Sequence, residues 1–410
     1  MLRHFLCILA GAALAMAFQA QAQDKGQTVR PEVGKPVQAA IELLKSRRGR
    51  EALAKVREAQ AVPNRTAYES LIVDQVTGQA AAAVGEPGSA ARAFEAAAGS
   101  SAASETQRRQ FLAAAAGQYY LVKDYAKAAD TAGRYLRAGG SDKAVRTMYA
   151  QALYLGNNFS AAAKVLAADI DAEVQSGRAP SEDQLQLLAS AYHQQRDNAG
   201  YARTMERLVT YYPKKDYWVS VLHGVVTRPG YSERLGVELA RLKLETGAMR
   251  TTGEYLEAAQ LALQAGFPLE ATKIIDQGYA TGALGTGAEA ERHKRLKDLA
   301  AKNLAEDAKT LAQDDAGTAR DGKSLFNDGY NYVLHGKTEK GLAMMEQGLK
   351  LATGFLRPDH AKLQLAHAYR LAGQKQKAIH VYRTVQGNDG AASLARLWII
   401  RLGRNGGAGA

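Results

Sequence analysis

The sequence predicts an all-α fold, an array of about ten helix–turn–helix pairs ending in a capping helix. Three observations carry this expectation. Small and apolar residues recur at helical spacing in short segments parted by turns. Matching positions in consecutive segments lie 34 residues apart, as Tyr119 and Leu153 do, and as Ala128 and Ala162 do. The nine prolines, at 31, 36, 63, 87, 180, 213, 229, 268 and 358, can each be assigned to a turn or a helix start, which leaves long runs of helix between them. Abundant alanine and a modest 7% of aromatic residues favour close-packed helices over sheets.

The clearest segment runs from Leu185 to Trp218. Leu185, Leu188, Ala189 and Tyr192 fall at i, i+3, i+4 and i+7, one apolar face of a helix. A polar turn follows from His193 to Asn198. A second helix then presents Tyr201, Met205 and Leu208, and Pro213 stands at its end, where a residue that cannot continue a helix belongs. Ala189 lets two helices approach closely and Tyr192 fills the space beside it. This pattern resembles the tetratricopeptide repeat, a helical hairpin of about 34 residues. The resemblance implies a right-handed α-solenoid, or superhelix.

Taken in order, Val37 to Ala61 and Thr66 to Ala98 read as the first two pairs. Phe111 opens a clean third pair, with Ala116, Tyr119, Asp124, Tyr125 and Ala128 at the small, aromatic, turn and small positions. Ala150, Leu153, Phe159, Ala162 and Leu166 mark the fourth. After the Leu185–Trp218 repeat come pairs starting at Trp218 and at Tyr255, the second carrying Ala259, Ala271 and Ile275. Gly282 to Gly287 reads as a break, and Ala288 to Asp315 as a degenerate copy. Gly329, Tyr332, Gly341 and Met345 mark the next pair, and Ala366, Tyr369, Ala378 and Tyr382 the last. Ala391 to Leu402 is the expected capping helix. From Ala52 to Ala378, nine steps average about 36 residues. The expected organisation is a signal peptide at 1–22, a flexible lead-in at 23–35, an N-terminal and central array at 36–281, a C-terminal array with its cap at 282–402, and a disordered tail at 403–410.

The first segment has the form of an export signal. Arg3 precedes an apolar run, Phe5 to Phe18, too short for a comfortable membrane span, and Ala20-Gln21-Ala22 is an A-x-A cleavage site. Cleavage after Ala22 and a periplasmic location are expected; an uncleaved N-terminal anchor is the alternative. The flanks of Cys7, the only cysteine, lack a lipoprotein pattern, and no later stretch is apolar enough to span a membrane. The formal charge is +12, but the basic residues are spread along the chain. The one dense run, Lys45 to Arg50, sits at an expected helix end, where it complements the helix dipole. No nucleic-acid partner is expected.

Neither a nucleophile elbow nor an H-E-x-x-H motif occurs, and neither enzymatic activity nor a cofactor is expected. His360, His367 and His380 do not form a metal-ligand pattern; only the first two share a helix face. Binding in such solenoids usually falls to the concave face lined by the first helix of each pair. The repeat register aims Tyr120, Gln151, Tyr154, His193, Phe326, Tyr330, His367 and Arg370 at that face, and tyrosine and arginine are typical interface anchors. The Lys-then-Asn pairing with which some tetratricopeptide repeats clamp a C-terminal carboxylate is absent from the copies that align.

A narrower likeness lies in Ala179 to Leu222, above all in the Tyr-Pro-Lys-Lys-Asp-Tyr-Trp piece, Tyr212 to Trp218. It continues through Glu254 to Gly278, the connector Gly354 to Pro358 and the helix carrying Trp398. These residues resemble proteobacterial periplasmic tetratricopeptide proteins associated with TonB energy-transduction systems. The resemblance implies a non-enzymatic, protein-binding accessory role near TonB-dependent outer-membrane uptake. A scaffold for outer-membrane assembly or polysaccharide export, and a glycan-binding superhelix, stand as alternatives.

Overall fold

The computed structural model describes residues 28–313, 321–351 and 354–403. The expected signal peptide and nearly all of the tail lie outside these residues. Twenty α-helices and one 3-10 turn, and no strand, occur among the described residues. The chain divides into two compact units, one reaching to Asn198 and one starting at Ala199. Each is built of antiparallel helix pairs, the α-solenoid architecture.

The first unit holds α1 (Pro31–Lys45), α2 (Gly49–Gln60), α3 (Ala67–Ala83), α4 (Pro87–Gly99), α5 (Glu105–Leu121), α6 (Tyr125–Arg137), α7 (Lys143–Leu155), α8 (Phe159–Gln175) and α9 (Glu182–Gln194). Helix follows helix, and each packs on the next. The expected small positions are where the helices touch: Ala52, Ala116, Ala128, Ala150 and Ala162 are all buried. Between paired helices of this unit the same left-handed turn residue recurs, at Arg47, Gly85, Lys123 and Asn157, with φ between 59° and 76°. This residue redirects the chain at the end of the first helix of each pair.

Two expectations about the start of the array are corrected. Helix α1 begins at Pro31, inside the stretch 23–35 expected to be a flexible lead-in, and Pro36 lies within it and not at a turn. Pro31 occupies the first helical turn, where its missing N–H is no loss. In the second turn Pro36 forfeits one intrahelical bond, toward Glu32. The helix start is fastened from outside. Arg30 donates from its backbone N to Glu69 Oε1 at 2.9 Å, and its guanidinium donates to both oxygens of Glu69, at 3.0 and 2.9 Å. Glu69 also closes the capping box of α3, accepting from the Thr66 N–H. The Arg30 hydrogen bonds hold the buried Glu69 carboxyl down at about 2. The unfolded carboxyl takes its proton near pH 4.5 and the folded one only near 2, so the stabilisation is present above pH 4.5 and lost as pH falls toward 2. Glu69→Gln should therefore lower the stability of the first unit at neutral pH. The gap to the unmodified chain should close during acid titration over that window, as read by urea unfolding at a series of pH values.

The second unit holds α10 (Asn198–Tyr211, which begins at the boundary), α11 (Lys215–Val226), a 3-10 turn (Glu233–Leu235), α12 (Gly236–Thr246), α13 (Thr252–Gln264), α14 (Pro268–Ala280), α15 (Ala290–Gln313), α16 (Gly322–Leu334), α17 (Thr338–Leu351), α18 (Pro358–Leu371), α19 (Lys375–Arg383) and α20 (Ala391–Gly403). The expected junction near 281/282 is not the boundary between units. The glycine-rich stretch there is a packed turn: Leu284 is buried, its N–H donates to the Gly278 carbonyl at 3.0 Å, and Gly285 donates its N–H to His293 Nδ1 at 3.1 Å. The degenerate copy after it is a single long helix, α15. In the pair α16/α17, glycine replaces alanine at the close approach. A Cβ on Gly341 would lie 2.5 Å from the Gly329 carbonyl oxygen.

The last helix does not simply cover an open end. Helix α20 packs on α18 and α19 and also on α12, near the start of the unit. Arg396 donates to both oxygens of Glu206 in α10, and Arg401 pairs with Glu245 in α12 at 2.9 Å. The second unit is thus closed on itself.

Candidate functional site

In the first unit, α5, α7 and α9 align one face. Tyr120 and Tyr154, one repeat apart, each reach into the following pair. The Tyr120 hydroxyl donates to Gln151 Oε1 at 3.3 Å, and the Tyr154 hydroxyl shares a hydrogen bond with Ser190 Oγ at 2.6 Å. Gln151 and Ser190 each follow the small residue of their own helix, Ala150 and Ala189, so the two bonds are one contact repeated. Each tyrosine ring also meets, edge on, the aromatic residue that opens the next helix: Tyr125 at 5.6 Å and Phe159 at 5.3 Å between centroids. Burial, with Tyr125 beside it, pushes the Tyr120 phenol up, so it remains a neutral hydrogen-bonding group. Next to each tyrosine stands an exposed leucine, Leu121 at 49% and Leu155 at 42% exposure. Tyr120, Gln151 and Tyr154 are half-buried and His193 is exposed. The structure brings Tyr120 against Gln151, and Tyr154 against Ser190. Ser190, Leu121 and Leu155 were missed by the sequence reading, although Leu121 and Leu155 carry the 34-residue signal.

In the second unit the expectation fails for three residues. Phe326, Tyr330 and His367 are buried, not groove-facing. The register rule presumes that the face opposite each first helix is open; here α12, α14 and α20 cover it. At the centre lies Arg241, buried between two carboxylates. Its Nε donates to Glu270 Oε1 at 3.0 Å, its Nη2 to Glu270 Oε2 at 2.7 Å, and its Nη1 to Glu238 Oε1. The Tyr330 hydroxyl donates to Glu270 Oε1 at 2.7 Å, and the Arg241 guanidinium lies 4.7 Å from the centre of the Tyr330 ring. His367 Nε2 is 3.7 Å from Glu270 Oε1, and its ring meets Trp398 edge on at 5.4 Å. Burial pushes Glu238 up, toward its neutral form. Burial and the neighbouring Arg241, Arg370 and Lys273 hold the His367 imidazole well down, so it is neutral. Arg370 is half-buried, pairs with Glu245 at 3.2 Å and lies over the Trp398 ring at 5.0 Å. This centre is a structural ion cluster sealed among helices, and no reactive group in it faces solvent.

His360 pairs with Asp389 at 2.8 Å, while His367 belongs to this centre. Among the described residues, no group of three histidine, cysteine or acidic side chains is arranged to hold a metal. No helix among them is long and apolar enough to cross a membrane.

The architecture defines a class, the arrays of antiparallel helical hairpins. No protein-family model matches the chain, and no curated protein matches it. Solved structures do. The TPR2AB-domain:pHSP90 complex of yeast Sti1 aligns at 11% identity over 72% of this chain and 98% of that one, with a TM-score of 0.24. The TPR domain of P58(IPK) aligns at 14% identity over 92% and 99%, with a TM-score of 0.22. Yeast Tom70 aligns at 11% identity over 91% and 96%, with a TM-score of 0.26. These scores are too low to carry over an overall arrangement, a partner or a site.

Proposed function

We propose that the chain is a non-enzymatic, tetratricopeptide-type scaffold that binds a partner protein across the α5–α7–α9 face of its first unit. The observation that carries this reading is the repeated Tyr120–Gln151 and Tyr154–Ser190 contact flanked by exposed Leu121 and Leu155. Preorganised tyrosines beside exposed leucines offer apolar area and a hydrogen-bonding tip at little entropic cost. The export-type N-terminus supports a periplasmic location. The Tyr212–Trp218 piece supports an accessory role in a TonB-dependent uptake system, with TonB-system components as partners.

Tyr120→Phe/Tyr154→Phe keeps the ring packing and removes both hydroxyls. The double variant should fold normally and lose about tenfold or more in affinity for a purified TonB-system component. Unchanged affinity would move the binding face elsewhere. Cell fractionation that leaves the chain in the cytoplasm would remove the TonB reading altogether.

A further inference from the structure

Helix α20 docks through one buried ridge and two arginine pairs. Of Ala391 to Gly403 only Arg396 and Gly403 are exposed, and the half-buried Ala392, Ser393, Ile399 and Ile400 lie on the same face. Leu394, Leu397 and Trp398 are completely buried. Trp398 stacks on Tyr382 of α19, with centroids 6.0 Å apart and planes at 8°, and meets His367 and Arg370 of α18 on its other sides. Two arginines five residues apart, Arg396 and Arg401, fasten the helix to Glu206 and Glu245.

The fit is incomplete in its polar detail. Trp398 Nε1, Tyr382 Oη, His367 Nδ1, Arg370 Nε and Glu238 Oε2 are all buried without a hydrogen-bond partner. The first four belong to Trp398 and the three side chains packed around it, and Glu238 lies in α12. Each unmet polar atom weakens the docked state relative to one in which it is satisfied. The side chains that receive α20 therefore form an acidic-rimmed groove with an occupant that is well placed but not optimally bonded.

We propose that this groove, formed by α10, α12, α18 and α19, is a helix-binding site held in cis by α20. The ligand it takes in exchange is an amphipathic helix of a partner protein carrying a leucine–tryptophan ridge spaced as Leu394, Leu397 and Trp398, with two arginines spaced as Arg396 and Arg401. The acidic pair Glu206 and Glu245 selects that charge pattern, and the apolar ridge selects depth. This surface is independent of the face proposed for the first unit.

The probe is a fluorescein-labelled peptide of residues 387–403, added to the full chain. In the unaltered chain the tethered helix competes at high effective concentration, so binding should be weak. In Arg396→Glu/Arg401→Glu, which repels the resident helix from its two acids, peptide affinity should rise at least tenfold. A peptide carrying Trp398→Ala should not bind. A chain with Glu245→Cys/Arg401→Cys joined by a short bis-maleimide, and Cys7→Ser, should not bind the peptide. Equal binding by the joined and free chains would overturn the proposal. So would a charge-reversed chain that dimerises by trading α20 between copies, since the occupant would then be a second copy. Native-state hydrogen exchange on the unaltered chain tests the same idea without substitution. Amides of α20 should exchange at least tenfold faster than those of α16 to α19, and uniform protection would overturn it.

Discussion

Arg241→Met is expected to destabilise the second unit by about 3–5 kcal/mol, the usual cost of removing one partner from a buried ion pair. The loss comes from what stays behind. Glu270 would keep only the Tyr330 hydroxyl and the distant His367, and Glu238 would lose its one hydrogen-bond donor. Two carboxyls would then share a low-dielectric interior with no cation between them. Urea unfolding followed by helical circular dichroism should show an early transition carrying about half the signal, while the first unit unfolds as before. The triple change Glu238→Leu/Arg241→Met/Glu270→Leu should recover most of the loss, because apolar groups of similar volume replace a buried ionic set at little cost. A single variant with full stability would mean that water reaches the cluster.

The second large effect concerns the glycine seam between α16 and α17. A Cβ on Gly341 would lie 2.5 Å from the Gly329 carbonyl oxygen and 2.7 Å from the Val333 nitrogen. One on Gly348 would collide with the Gly322 carbonyl and lie 2.9 Å from the Phe326 nitrogen. These are backbone atoms of the facing helix, so no side chain can turn aside and the helices must part. Gly341→Ala and Gly348→Ala should each cost about 1–3 kcal/mol, and together should separate α16 from α17, exposing Met345 and Phe326. Gly117 is the control. It lies in the middle of α5 with open space where its Cβ would go, so Gly117→Ala should stabilise by about 0.5–1 kcal/mol. Thermal unfolding of the three variants separates the seam from a general intolerance of alanine.

The helix pairs were legible because their signal is local. Ala116, Ala128, Ala150 and Ala162 announce themselves by spacing alone, and each is buried where the spacing put it. Half of the candidate face was legible for the same reason: Tyr120 and Tyr154 occupy matching places in neighbouring copies, and Gln151 follows the small residue Ala150. The rest depended on distant parts of the chain. Nothing near Tyr330 or His367 reveals that Arg241 and Trp398 will meet them, so a rule built on neighbouring repeats aimed them at an open groove. Pro36 misled in the opposite way. A proline usually punctuates, but early in a helix it costs one bond, which the rest of α1 outweighs. The division after Asn198 falls within the most repeat-like stretch of all, where periodicity runs unbroken in the sequence.

The closure of the second unit also bears on how it acquires its structure. A linear repeat array can nucleate anywhere and grow by contacts between neighbours. The Arg396–Glu206 pair joins residues 190 apart, and Arg370–Glu245 joins residues 125 apart. Their loop-closure entropy must be met before those contacts return anything, so the second unit has the kinetics of a high-contact-order domain despite its all-helical composition. Until Trp398 arrives, Arg241 and its two carboxylates lack a complete enclosure, and the helices α10 to α19 remain an unfinished shell.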